Sequence, residues 1–367
     1  MKLQEISVIN KAIPLCFVNE NVLLIAKNNK LFLYNIETNK KELLFSLKIS
    51  IFKKLLSSNK YFFRLLRMGV RYSVPINNDN ILIIFNNQFF ELDIRTKHLS
   101  KTFDIPRGNR PLNISKVEGI EGFDNSFYFG EYFLNPDNKP VHIYKRKKDA
   151  SWEIVYTFHE NTIEHIHNII PDKYNQCVWI LVGDFGKAAG IWKATNNFET
   201  VEPILFGKQY YRSCVAFPTQ EGLLYATDSQ FEENAIRIMK NDGLGWKSEL
   251  IQKINGPVIY GSKVKDNFYF ATSVEGGDTS GLNKFQIMFD RKRGQGIKNE
   301  NITIVGGNLK KGFECIYLNK KDRLPFYLFQ LGTIIFPTGI NVKDLLFFYN
   351  IATTDNDLGT SIFKIIE

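Results

Sequence analysis

The chain has 367 residues, of which 44% are hydrophobic and 14% aromatic, with 47 basic and 38 acidic side chains and a net charge of +9. That supply of apolar residues is ample for a large packed core. No run approaches the roughly 18–20 apolar residues a membrane-spanning helix needs, and residues 1–10 lack the pattern of a secretory leader. The basic excess favours anionic partners such as acidic glycans, lipid headgroups or nucleic acid, without choosing among them.

In chain order, one unit recurs about every 50 residues: an apolar strand, a polar turn, a second strand, a Lys/Asn-rich hairpin and a short last strand. The second strands are the clearest markers. They fall at residues 21–25, 81–85, 126–129, 178–182, 223–227, 267–271 and 345–349, each a short β-prone run. In several units a third strand follows, at 31–34, 141–144, 190–192 and 235–238. Even spacing, little helical periodicity and no linker-like tract predict one all-β domain over 1–367. We expect a β-propeller of about seven four-stranded blades, the radial arrangement that removes exposed sheet edges.

Residues 48–71 break the pattern. Ile49, Phe52, Leu55, Leu56, Phe62, Phe63, Leu65, Leu66 and Met68 alternate there with Lys53, Lys54, Lys60, Arg64, Arg67 and Arg71, and no acidic residue intervenes. The spacing predicts an amphipathic basic helical insertion between blades one and two. Its readings are attachment to an anionic membrane surface, a basic lid over the ring, or a helix that packs its apolar side on the propeller and solvates its charges.

Three hairpins carry parts of a known turn motif. Lys145 to Trp152 ends in Asp149-Ala150-Ser151-Trp152, Met239 to Trp246 keeps Asn241, Gly243 and Trp246, and the segment from Trp192 ends in Phe198-Glu199-Thr200. They resemble the Asp-box, or BNR repeat, of sialidase-like propellers, with the likeness strongest over residues 110–250. The resemblance implies the propeller fold, with the Trp packed between strands, and implies carbohydrate processing by analogy. The sialidase catalytic pattern is not met: Arg71-Tyr72-Ser73-Val74-Pro75 is a distant echo of its Arg-Ile-Pro motif, and no Tyr/Glu pair can be assigned.

In a propeller, loops leading into first strands share a face with loops leaving second strands. Arg107 to Pro111, Glu164 to His167 and Tyr210 to Ser213 occupy the first kind of position. Glu131 and Tyr132, Asp184, Asp228 and Glu275 occupy the second. Carboxylates therefore recur at equivalent points of four blades, interleaved with arginines suited to binding carboxylate or phosphate.

His165 and His167, two residues apart on a strand, point the same way. They suit proton transfer, donation to a sugar carboxylate or a metal pair. The leading expectation is a glycoside hydrolase or polysaccharide lyase acting on an acidic bacterial glycan. Glu131, Asp184, His165 and His167 would be catalytic, and Arg110, Arg212, Tyr132, Tyr211, Asp228 and Glu275 would bind substrate. The alternative is a non-catalytic glycan-binding or protein-interaction scaffold of polysaccharide biosynthesis.

No cofactor is expected, no residue is assigned to a metal, and no nucleic-acid module is present. Cys16, Cys177, Cys214 and Cys315 lie far apart without a CxxC pair, as expected of free buried thiols in a cytoplasmic protein peripheral to the inner membrane.

Overall fold

Each of the seven marker runs is the second strand of a four-stranded antiparallel sheet in the computed structural model, which describes residues 1–70 and 72–366. The chain is a seven-bladed β-propeller. Second strands such as Cys177–Gly183 are buried along their whole length. A strand covered on both faces has no use for alternating polarity, which is why these runs read as continuously apolar. Fourth strands such as Lys41–Ser46 and Trp246–Lys253 are exposed over half or more of their residues and carry both Lys and Glu side chains, which discourage edge pairing.

The last blade is completed from both ends of the sequence. Lys2–Ile9 pairs with Thr360–Ile366, which pairs with Leu345–Ile351 and that in turn with Thr333–Ile335. Chain contacts separate two compact units, one of Met1–Phe85, Phe89–Lys101 and Tyr260–Glu367, the other of Asn86–Gln88 and Thr102–Ile259. In the first, Leu24, Ile81, Ile83 and Leu92 pack between blades one and two. In the second, Ile143, Phe158, Ile166 and Val182 join blades three and four, and Trp179, Leu223 and Tyr225 join blades four and five.

The three Asp-box-like hairpins each connect a third strand to a fourth, in blades three, four and five. Asp149 Oδ1 accepts from the Ser151 backbone N–H at 3.0 Å and its hydroxyl at 2.6 Å, closing the first of them. Trp152 packs 4.9 Å from Phe129, and Trp246 stands edge-on to Trp179 at the same ring separation.

The insertion differs from expectation. It forms two short helices, α1 (Ile51–Ser58) and α2 (Lys60–Leu65), rather than one. Asn59 divides them: its backbone is extended, it closes α1, and its side-chain oxygen accepts from the N–H groups of Tyr61 and Phe62 to start α2. Arg71, at the end of the predicted segment, lies outside the described residues. Two more helices, α3 (Lys284–Phe289) and α4 (Phe326–Phe329), were not anticipated; α4 packs against both α2 and α3. Among the described residues, no helix is long and apolar enough to cross a membrane.

Candidate functional site

The second unit gathers a polar cluster at the ends of its buried strands. Gly130-Glu131, Gly183-Asp184 and Thr227-Asp228 each sit where the second strand of blades three, four and five ends. His165 opens the first strand of blade four, His165–Asp172, and Arg212 precedes that of blade five, Ser213–Thr219. Both first strands carry a bulge, at His167 and at Cys214, where the register against the second strand slips. A bulge re-aims side chains locally.

His165 Nε2 lies 3.0 Å from His167 Nε2, and the two nitrogens are 3.3 and 3.1 Å from Asp184 Oδ1. Arg212 Nη2 reaches the same oxygen at 3.0 Å and Asp228 Oδ2 at 3.3 Å. The outer ring nitrogens are anchored on carbonyls, His165 Nδ1 on Phe133 at 3.2 Å and His167 Nδ1 on Ser213 at 2.9 Å. Cys214 Sγ is 3.3 Å from Asp228 Oδ2. Tyr132 stands edge-on to His165 with ring centroids 4.6 Å apart, and the Arg212 guanidinium lies over Phe185 at 5.2 Å. Gly183 allows the packing: a Cβ there would fall 2.2 Å from His167 Cε1.

Burial opposes ionisation of Asp184, but contacts with its polar neighbours, the Arg212 charge among them, outweigh it and hold the carboxyl far below the usual carboxylate range. The Cys214 thiol is pushed well up, chiefly by burial and then by Asp228.

The remaining predicted residues are engaged elsewhere. Glu131 is buried and takes both Nε and Nη2 of Arg107, a bidentate pair, together with the His142 N–H at 2.8 Å and the Tyr144 hydroxyl at 3.4 Å. The arginine that matters to Glu131 is therefore Arg107. Arg110 reaches the carbonyls of Pro111 and Leu112. Tyr211 packs on Tyr210 at 4.4 Å. Glu275 belongs to the other unit, where Ser273 Oγ donates to it at 2.5 Å. Cys214 and Glu164, whose Oε2 accepts from the Asp184 N–H at 3.1 Å, join the cluster without having been singled out as site residues.

The first unit carries a second feature, made by its helices. Arg64 of α2 is 1% exposed, and its guanidinium binds Asp322, Asp357 and the carbonyl of Phe329. Gln330 Nε2 donates back to the Arg64 carbonyl at 2.9 Å. Arg64 thus fastens the helix pair to the segment carrying α4. The apolar face of α1 is left outside: Ile51 is 88% exposed, and Phe52 and Leu55 are each 70% exposed. Tyr61, Phe62, Leu66, Phe285, Phe289 and Tyr327 are exposed as well.

No protein-family profile matches the chain, and no curated protein does. Among solved structures, the CNH domain of AfRom2 is similar with a TM-score of 0.55 and 6% identity, over 100% of this chain and 99% of that one. A chain of a mitotic checkpoint complex gives 0.50 and 9%, over 100% and 91%. At these identities the likeness is one of fold, and it defines the class as a seven-bladed propeller. These likenesses agree with the propeller fold that the Asp-box-like turns implied and carry nothing about family.

Proposed function

We propose that this propeller is a non-catalytic scaffold that docks on an anionic membrane surface through its helices. The observation carrying this reading is the apolar face of α1 and α2, held outward by the buried Arg64 contacts and accompanied by exposed Lys53, Lys54, Lys60 and Arg67. Residues 48–70 contain no acidic side chain to offset them. An ordinary packing helix turns such a face inward. A monotopic one lays it in the headgroup boundary with its basic residues against acidic lipid.

The magnitudes suffice. Full burial of a Leu, Ile or Phe side chain is worth about 1.5–3 kcal/mol, and partial insertion of several such residues a comparable sum. Each Lys or Arg near an anionic leaflet adds about 1 kcal/mol. A pocket beside the helices is lined by Lys11, Lys27 and Lys60 with Ile13, Phe63 and Val70, a basic and apolar mixture suited to a lipid headgroup.

The glycan-cleaving expectation finds less support. Glycoside hydrolysis needs one carboxyl kept protonated as the acid. Asp184 is shifted the opposite way, and Glu131 is closed by Arg107. These groups suit binding or structure better than turnover.

Flotation with phosphatidylcholine vesicles, with and without phosphatidylserine, tests the proposal. The folded protein should float only with the anionic vesicles. The F52S/L55S and K53E/K54E variants should stay at the bottom. Flotation that ignores both variants, or none by the wild type, would move the helices to the role of a protein-docking surface.

A further inference from the structure

The strongest feature outside that reading is the convergence of three lone-pair donors in the second unit. Backbone carbonyls accept and never donate, so the Nδ1 atoms of His165 and His167, facing the carbonyls of Phe133 and Ser213, carry the ring hydrogens. With neutral rings, both Nε2 atoms then present lone pairs to each other and to Asp184 Oδ1. Three acceptors meeting at 3.0–3.3 Å repel unless a cation lies among them.

We propose that His165, His167 and Asp184 form a binding site for a divalent first-row transition metal ion. The three separations fit this reading. Ligands about 2.1 Å from a common ion are roughly 3.0 Å apart at a right angle and roughly 3.4 Å apart in a tetrahedron. Two imidazoles and one carboxylate are the donors that zinc and ferrous ions accept while leaving positions open.

The surroundings are those of a supported site. Each imidazole is oriented by a carbonyl on its outer nitrogen, and the carboxylate is steadied by Arg212 from the side. Glu164, Asp184 and Asp228 set three negative charges against the single positive charge of Arg212, which leaves room for a cation. His167 is 1% exposed at its side chain and Asp184 is 21% exposed, so any open coordination position lies on the carboxylate side. A second possible set, His167, Cys214 and Asp228, shares one imidazole with the first. Its carboxylate is already engaged by Arg212 and by the Cys214 thiol, each at 3.3 Å.

The test uses the full chain stripped with chelator and titrated with Co2+ and, separately, Zn2+. We expect about one equivalent of Co2+ bound with ligand-field absorption and no thiolate charge-transfer band, and a higher melting temperature with Zn2+. The H167Q and D184N variants should each weaken Co2+ binding more than about 100-fold, while C214S binds normally. Circular dichroism of the variants separates loss of the site from loss of the fold, and H165Q supplies a further variant if either one unfolds. No Co2+ spectrum and no Zn2+ shift in a folded wild type would overturn the proposal and leave a shared proton between the rings. Binding that survives H167Q and D184N would also overturn it, as would binding that disappears in C214S.

Discussion

Arg64 Nη1 lies 3.1 Å from Asp357 Oδ2 across 293 positions of sequence, and with its contacts to Asp322 and Phe329 it is the bolt that holds the helical insertion in place. The insertion contributes no other fully buried side chain through α1 or α2. Its orientation therefore depends on this one guanidinium far more than on apolar packing.

Replacing Arg64 by Ala should be expensive. Removing one partner of a buried ion pair strands the other charges and costs about 3–5 kcal/mol. The expected result is faster hydrogen exchange over residues 51–65, with strand amides in the second unit unchanged. Equal protection of the helices in R64A would mean that something else holds them.

Acid should loosen the same contact. Burial pushes the Asp322 carboxyl up, but hydrogen bonds from Arg64 and Lys321 bring it below its ordinary value. A carboxyl lowered by folding stabilises the native state above its unfolded pKa of about 3.9, and that contribution fades as pH falls through the folded value. Wild type should lose stability between pH 5 and pH 3, on the order of those values, more steeply than D322N. Parallel denaturation curves for the two proteins across that range would contradict the assignment.

Glu131 should behave as a structural residue. E131Q removes the charge that Arg107 grips and weakens the bond from the His142 N–H, for an expected loss of about 1–3 kcal/mol in urea unfolding. A variant as stable as the wild type would return Glu131 to the functional carboxylates.

Gly183 should tolerate no side chain. In G183A the new methyl would stand 2.2 Å from His167 Cε1, so the ring or the strand must move, at a cost of about 1–3 kcal/mol. The imidazole signals of His167 should shift in NMR spectra while those of His98, in the other unit, do not. Unmoved His167 signals would show that the close approach is not tight.

Thiol chemistry separates the cysteines. All four are free, as expected, but Cys315 is exposed rather than buried. Burial pushes the thiols of Cys16 and Cys177 up to about 12, and that of Cys214 well above its ordinary value. Burial raises the Cys315 thiol as well, but that residue alone is exposed, so iodoacetamide at mildly alkaline pH should label Cys315 alone in the native protein. Rapid labelling of a second cysteine would reveal local opening.

The fold was largely legible because blade strands are buried on both faces, and an apolar run such as 178–182, repeated at even spacing, suits few architectures besides a ring of sheets. The turns of blades three to five were legible for a related reason: Asp149, Asn241 and the paired Trp residues have fixed geometric jobs. What stayed hidden depends on contacts between distant residues. Nothing near Arg64 announces Asp322 and Asp357, and the bulges at His167 and Cys214 arise from strand pairing rather than local composition. Helix α3 left a short signal that could have been read, the Asn283/Gln286 capping box that spans Phe285 and precedes Phe289. In the cluster, recurring positions after the second strands pointed to Asp184 and Asp228, but only geometry shows that Glu131 turns towards Arg107.

The most direct test of the scaffold account is the depth of α1 in a bilayer. Phe52→Trp places a fluorophore on the exposed face of α1, whereas the four native tryptophans all lie in strands. With brominated lipids in phosphatidylserine-containing vesicles, the new fluorescence should be blue-shifted and quenched, and salt added before mixing should prevent both changes. Emission that stays solvent-like and unquenched in anionic vesicles, from a folded F52W protein, would contradict the account.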